Sequence, residues 1–176
     1  MGVEVCSGQV ECGVSAKRMW QAAFKEGKDA LPKALPHAIS HVSYEGPPDN
    51  PTPGLTSRTI HLHRSYAEAM AKERQSENVV LLVKQKLLEM DAKALRMRLE
   101  MVEGGIVGSS VKSAKECINI VEGPVPGASC VVHWSFEYEP LSEQHQARVP
   151  LILNEFIPHL YKKLEEYLVS HHDYLQ

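Results

Sequence analysis

The chain reads as an α+β domain: one strand, two short helices, a run of antiparallel strands and one long terminal helix. Three observations carry that reading. From Leu95 to Met101, and again from Val132 to Tyr138, apolar and polar residues alternate with period two, the mark of strands with one buried face. From Val149 to Leu168 apolar residues recur at i, i+3, i+4 and i+7, which places them on one stripe of a helix. The length of 176 residues matches one domain of roughly 100–200 residues, so a single core over residues 1–176 is expected, without internal repeat or linker.

Val3 to Gly13, rich in Val and Cys, suits an edge strand. Ser15 offers an N-cap to a short helix in which Met19, Trp20, Ala23 and Phe24 recur at helical spacing up to Gly27. Pro32 and Pro36 leave room for at most one more short helix before a strand over Ile39–Glu45. Gly46 to Gly54 carries Pro47, Pro48, Pro51 and Pro53 and predicts a rigid loop. Leu55–Arg64 alternates weakly. Ser65-Tyr66-Ala67-Glu68 has the form of a capping box and predicts a small exposed helix reaching Ser76. Val79–Met90, β-branched and Leu-rich, predicts a strand that turns at Asp91-Ala92-Lys93 into the strand bearing Leu95, Met97, Leu99 and Met101. Gly104, Gly105 and Gly108 break that strand, and Val111–Val121 and Cys130–Tyr138 follow as two more.

Composition narrows the class. With 43% hydrophobic and 23% charged residues the chain is an ordinary globular body, neither disordered nor fibrous. Its net charge is −3 and its basic residues are scattered, so the electrostatic footprint of nucleic-acid binding is missing. No segment approaches the roughly 20 apolar residues that cross a bilayer, and the N-terminal residues lack the basic and apolar regions of a leader, so a cytoplasmic protein is expected. Cys6, Cys12, Cys117 and Cys130 form no Cys-x-x-Cys unit and read as reduced thiols acting as small hydrophobes. The pairs His61/His63 and His171/His172 lack a third ligand at telling spacing, so no metal site is assigned.

The apolar face of such a sheet needs a cover, and only the terminal helix is large enough to supply one. A helix about 10–12 Å across cannot fill the groove of a strongly curled sheet, so an internal cavity is expected. Pro150 fits the first turn of that helix. Pro158 has apolar periodicity on both sides and predicts a kink.

Three separated motifs carry a resemblance. Pro32-Lys33-Ala34-Leu35-Pro36-His37-Ala38-Ile39-Ser40-His41-Val42, the turn Glu103-Gly104-Gly105-Ile106-Val107-Gly108, and the tail Glu165-Glu166-Tyr167-Leu168-Val169-Ser170-His171-His172-Asp173 together resemble the plant class-10 pathogenesis-related proteins, the birch-pollen major-allergen family. The resemblance runs in order over essentially the whole chain. It implies a helix-grip fold of the START-like superfamily, with a seven-stranded curved antiparallel sheet wrapped around the C-terminal helix. It also implies reversible binding of small amphipathic plant ligands, cytokinin-, flavonoid-, sterol- or fatty-acid-like, with a defence or stress-related role. The expected partner is such a ligand, without nucleic acid, membrane or cofactor, in a monomer or weak dimer.

The same resemblance points particular residues at the cavity. From the first helix and the early strands these are Ala23, Ile39, His61, Val83 and Gln85. From the middle strands they are Met97, Leu99, Met101, Ala114, Glu116 and Ile118, and from the last strand Val132, Trp134, Phe136 and Tyr138. The terminal helix adds Val149, Leu153, Phe156, Ile157 and Leu160. The proline-rich loop departs from the glycine-rich, phosphate-loop-like loop of the relatives, and the longer stretch 65–78 is expected to act as a lid at the cavity mouth.

Alkaloid-forming enzymes that share the resemblance converge a tyrosine, a carboxylate and a lysine. Here the corresponding positions are Leu99, Met101 and Ala114, so that machinery is absent. A lyase or cyclase would have to draw on Glu116, Gln85 and Tyr138, with burial raising the Glu116 pKa. The ribonuclease activity proposed for the family is the other alternative. Glu165 and Tyr167 match its pattern, whereas Lys112 stands where a second glutamate belongs. No catalytic residue is assigned.

Overall fold

The computed structural model describes residues 2–46 and 50–176. Pro47, Pro48 and Asp49 of the expected rigid loop lie outside the described residues. Strand β1 (Glu4–Cys12) leads into α1 (Ala16–Trp20), a π-helical turn over Gln21–Lys25, and α2 (Gly27–Ala34). Then come β2 (Ile39–Glu45), β3 (Ser57–Leu62), α3 (Arg64–Glu73), β4 (Leu82–Asp91), β5 (Arg96–Gly104), β6 (Val111–Glu122) and β7 (Cys130–Pro140). The 28-residue helix α4 (Glu143–Ser170) follows. The seven strands form one antiparallel curved sheet in the order β1-β7-β6-β5-β4-β3-β2.

Alternation decides which face is covered. On β7 the residues Cys130, Val132, Trp134, Phe136 and Tyr138 are at most 2% exposed, while His133 and Glu137 face water. The register brings Cys6, Gly8, Val10 and Cys12 of β1 opposite Phe136, Trp134, Val132 and Cys130. At Gly8 a β-carbon would stand 2.6 Å from the Trp134 ring, so only glycine lets the indole lie across the strand. Trp134 in turn meets Phe136 edge-on, with centroids 6.2 Å apart. The cysteines are free, with Cys6, Cys12 and Cys130 buried in the core.

Several boundaries depart from expectation for physical reasons. The strand expected from Val79 begins at Leu82, because β3 turns into α3 at Arg64 and residues before Leu81 have no strand to pair with. The helix α3 starts at Arg64 rather than from a Ser65 capping box. His63 occupies the N-cap without a side-chain bond, and Arg64 pairs with Glu68 across the first turn. The second short helix, Gly27–Ala34, fits in the space expected for it before Ile39 and contains Pro32. Helix α4 starts at Glu143, capped by Ser142, whose Oγ accepts from His145 N at 3.3 Å. Pro150 is therefore the eighth helical residue and not in the first turn, and the helix runs through both it and Pro158. Asn154 Nδ2 donates to the Pro150 carbonyl at 2.8 Å. The Asp91 turn forms as expected, with Asp91 Oδ1 accepting from Lys93 N and Ala94 N at 3.0 Å each.

Helix α4 buries Val149, Leu153, Ile157, Tyr161, Leu164 and Leu168 toward the sheet. Its last turn is held from outside. The half-buried guanidinium of Arg18 donates to the carbonyls of Leu168 (2.8 Å), His171 (2.6 Å) and Tyr174 (2.8 Å). Leu168 is one of the last carbonyls that the helix end leaves without an intrahelical partner, and the other two bonds tie down the chain that follows the helix. Beside it Lys162 Nζ donates to Glu11 O at 2.5 Å, and Gly13 N donates to Glu165 Oε1 at 2.6 Å. Replacing Arg18 by Ala is expected to lower unfolding stability by about 1.5–3 kcal/mol, the range for charged hydrogen bonds. Urea denaturation of the variant checks it, and an unchanged midpoint would contradict the clamp.

Candidate functional site

Between sheet and helices lies a cavity of about 430 Å³. Helix α4 supplies Leu153, Ile157, Leu160, Tyr161 and Leu164 to its wall, and the sheet supplies Arg58, Ile60, Val83, Gln85, Glu116 and Phe136. Helix α3 closes another side with Tyr66, Ala67, Met70 and Ala71 on one helical stripe, continued by its C-cap Arg74. The stretch expected to be an exposed helix is thus amphipathic, with Ala67 and Ala71 buried against the hollow.

The expected site residues divide into three groups. Ala23, Ile39, Val83, Gln85, Met101 and Glu116 line the cavity, as do Phe136, Leu153, Phe156, Ile157 and Leu160. Met97 and Leu99 line a second, smaller hollow of about 210 Å³. Ala114, Ile118, Val132, Trp134, Tyr138 and Val149 lie on neither wall. They are at most 2% exposed and belong to the filled part of the core, where side chains pack without a gap. His61 also lies on neither wall: Ile60 and Leu62 take the cavity side of β3. The His61 ring stacks on His41 with centroids 4.0 Å apart and meets Ser43 Oγ at 3.1 Å.

Arg58, Tyr66, Arg74 and Tyr161, which sequence pattern does not assign to the cavity, also line it. A signal for Tyr161 was present, since it continues the stripe of Ile157 at i+4. Arg58 sits two residues from Ile60 on the same face, but a charged residue in a weakly alternating strand reads as solvated.

The polar groups of the wall form a chain. Arg58 Nη1 donates to the Ala23 carbonyl at 2.6 Å, and its Nε donates to Gln85 Oε1 at 2.8 Å. Gln85 Nε2 then donates to Glu116 Oε2 at 3.1 Å. Burial pushes the Glu116 carboxyl up to about 7, with Arg58 acting in the opposite direction. Burial also raises the Tyr161 phenol, and the Glu116 charge adds to that. The arrangement therefore offers a ligand one carboxyl that changes protonation near neutral pH, one neutral phenol and a fixed cation, within apolar walls. Elsewhere, Glu165 is held by Gly13 and Lys162, Lys112 by Glu139 at 2.7 Å, and Tyr167 is stacked on His171. Among the described residues no group of three or more His, Cys, Asp or Glu is placed to hold a metal ion, and no helix is long and apolar enough to cross a membrane.

A model of the pathogenesis-related protein Bet v 1 family matches residues 77–171. Over 174 residues the chain is 25% identical to the major pollen allergen Aln g 1 of Alnus glutinosa, covering 98% of each. It is 26% identical over 175 residues to the major pollen allergen Bet v 1-C of Betula pendula, again covering 98% of each. Among solved structures, norcoclaurine synthase from Thalictrum flavum superposes with a TM-score of 0.69 at 19% identity, over 97% of this chain and 88% of that one. The likeness to that enzyme is one of fold.

The raised Glu116 pKa fixes a sign for stability against pH. Its folded value, about 7, lies above its ordinary value of 4.5. The folded protein therefore holds a proton that the unfolded chain has released, and stability falls as pH rises from 4.5 to 7. The full loss is ~3 kcal/mol for a shift of this size. Glu116→Gln is expected to match the parent at pH 4, exceed it at pH 8 and flatten the slope between. Urea unfolding at the two pH values measures this, and parallel profiles would overturn it.

Proposed function

The chain belongs to the pathogenesis-related protein Bet v 1 family, and from that premise we propose that it binds small apolar or amphipathic molecules reversibly in its interior, as a buffer or carrier. The observation that carries the reading is the cavity of about 430 Å³, walled by apolar side chains of α3, α4 and the sheet and provided with one polar chain through Arg58, Gln85 and Glu116. Protein interiors are normally filled to crystal density, so a hollow of this size is retained against the cost of lost packing. Phe156 is 39% exposed and also lines the cavity, which supports an entrance beside α4. Burying ~200 Å² of apolar ligand surface at ~25 cal/mol/Å² yields ~5 kcal/mol before the cost of association, which supports affinities nearer micromolar than nanomolar. The finer reading is a cytoplasmic, defence-related binder of cytokinin-, flavonoid-, sterol- or fatty-acid-like ligands. It rests on the motif resemblance and on the plant pollen relatives.

A second reading is favoured by one observation. A carboxyl with a pKa of about 7 inside an apolar cavity is suited to general acid or base work, which makes a cavity-based lyase or cyclase the rival. Turnover that vanishes in Glu116→Gln while probe binding persists would favour it.

Titration with the neutral fluorophore N-phenylnaphthylamine is expected to show saturable binding, displaced by members of the ligand classes named above. Leu160→Trp, which fills the cavity from α4, is expected to weaken that binding at least tenfold, and full retention of affinity would contradict the cavity as the site. Trimming residues 65–78 to a short turn removes the α3 wall and is expected to speed both binding and release in stopped-flow measurements. Unchanged rates would exclude a lid.

A further inference from the structure

Among the described residues, the smaller hollow, about 210 Å³, shares only Phe24, Arg58 and Gln85 with the larger cavity. Those three residues form the partition. The bonds from Arg58 to Ala23 O and to Gln85 Oε1 tie the π-helical turn to β3 and β4, and the guanidinium lies 5.2 Å from the Phe24 ring centroid. The chamber beyond is a different environment from the cavity. Trp20 and Tyr44 stand beside Phe24, with the Trp20 and Phe24 rings 5.0 Å apart. The thioethers of Met90 and Met97 complete an aromatic and sulfur-rich lining, which favours a flat ring over a flexible chain.

Its charge is one-sided. Lys25 and Arg58 are the ionised groups on the wall, and no carboxylate lines it among the described residues. Arg58 uses Nε and Nη1 within the partition and leaves Nη2 without a hydrogen-bond partner among the described residues. Lys25 is exposed and forms no ion pair among the described residues. A cationic guest would be repelled by both groups, and a neutral one would leave the guanidinium edge unanswered. A carboxylate matches an arginine edge in geometry and charge.

We propose that this chamber is a second binding site, separate from the main cavity, for a small flat aromatic carboxylate whose ring lies among Trp20, Phe24 and Tyr44 and whose carboxylate meets Arg58 and Lys25. The inference goes beyond the carrier reading and stands whether or not the main cavity is occupied.

The test uses naphthoate and its uncharged counterpart naphthamide, each added to the full chain with and without bound N-phenylnaphthylamine. Trp20 lines the chamber whereas Trp134 packs behind Phe136 of the main cavity, so quenching is read in a Trp134→Phe background in which Trp20 is the sole tryptophan. Naphthoate is expected to quench saturably while the neutral fluorophore stays bound, with naphthamide at least tenfold weaker. Lys25→Glu, at an exposed position, is expected to weaken naphthoate at least tenfold and leave naphthamide and the fluorophore unchanged. Competitive displacement of the fluorophore, equal affinity for acid and amide, indifference to Lys25→Glu, or no naphthoate binding would each overturn the proposal. Naphthoate binding in a protein that ignores the fluorophore would support it while removing the carrier reading.

Discussion

One α-helix has to cover the concave face of a seven-stranded sheet, and its width of about 10–12 Å falls short of strands spaced ~4.8 Å apart. The molecule handles the remaining width differently on its two sides. Toward β6 and β7, α1 packs down beside α4, and Ile118, Val132 and Trp134 fill the space completely. Toward β3 and β4, helices α2 and α3 roof the sheet at a distance and leave a hollow. Filled core and cavity are thus two answers to one shortage of apolar cover.

The hollow is not uniformly apolar, and the placement of its polar groups follows from what a low-dielectric wall tolerates. Arg58 keeps its charge by donating to a backbone carbonyl and to Gln85. Gln85 spends its other end on Glu116, whose remaining burial is relieved by holding a proton up to about pH 7. A side-chain amide stands between cation and carboxyl, so the two do not form a direct salt bridge. Arg58 is also the post on which the division into two chambers rests, and the same side chain therefore influences both.

Legibility in the sequence followed the strength of local pattern. The strict alternation of β7 gave its inward face residue by residue, as did the Met97–Met101 stretch of β5. Boundaries set by neighbours were not legible: β4 begins where β3 runs out of partners, and α3 starts at Arg64 without using the capping motif beside it. Helix α4 extends a turn and a half before its apolar stripe because Ser142 caps it there, which moved Pro150 inward. In the site, pattern could say that Ile118, Trp134 and Glu116 face the same way, but not which meet empty space, since that depends on where α1 sits. Arg58 stayed hidden because nothing local distinguishes a cation tied to a helix carbonyl from one in water.

Gly8 lies in an outer strand and touches no guest, yet its missing β-carbon is the space in which the Trp134 ring rests, and Trp134 supports the edge of Phe136 on the cavity wall. Any side chain at position 8 displaces the indole, and the displacement travels through one aromatic contact to the floor on which a guest would lie. The internal capacity of the protein is thereby adjustable from a distance. Relatives that differ at this position should differ in the girth of what they admit while keeping the same topology.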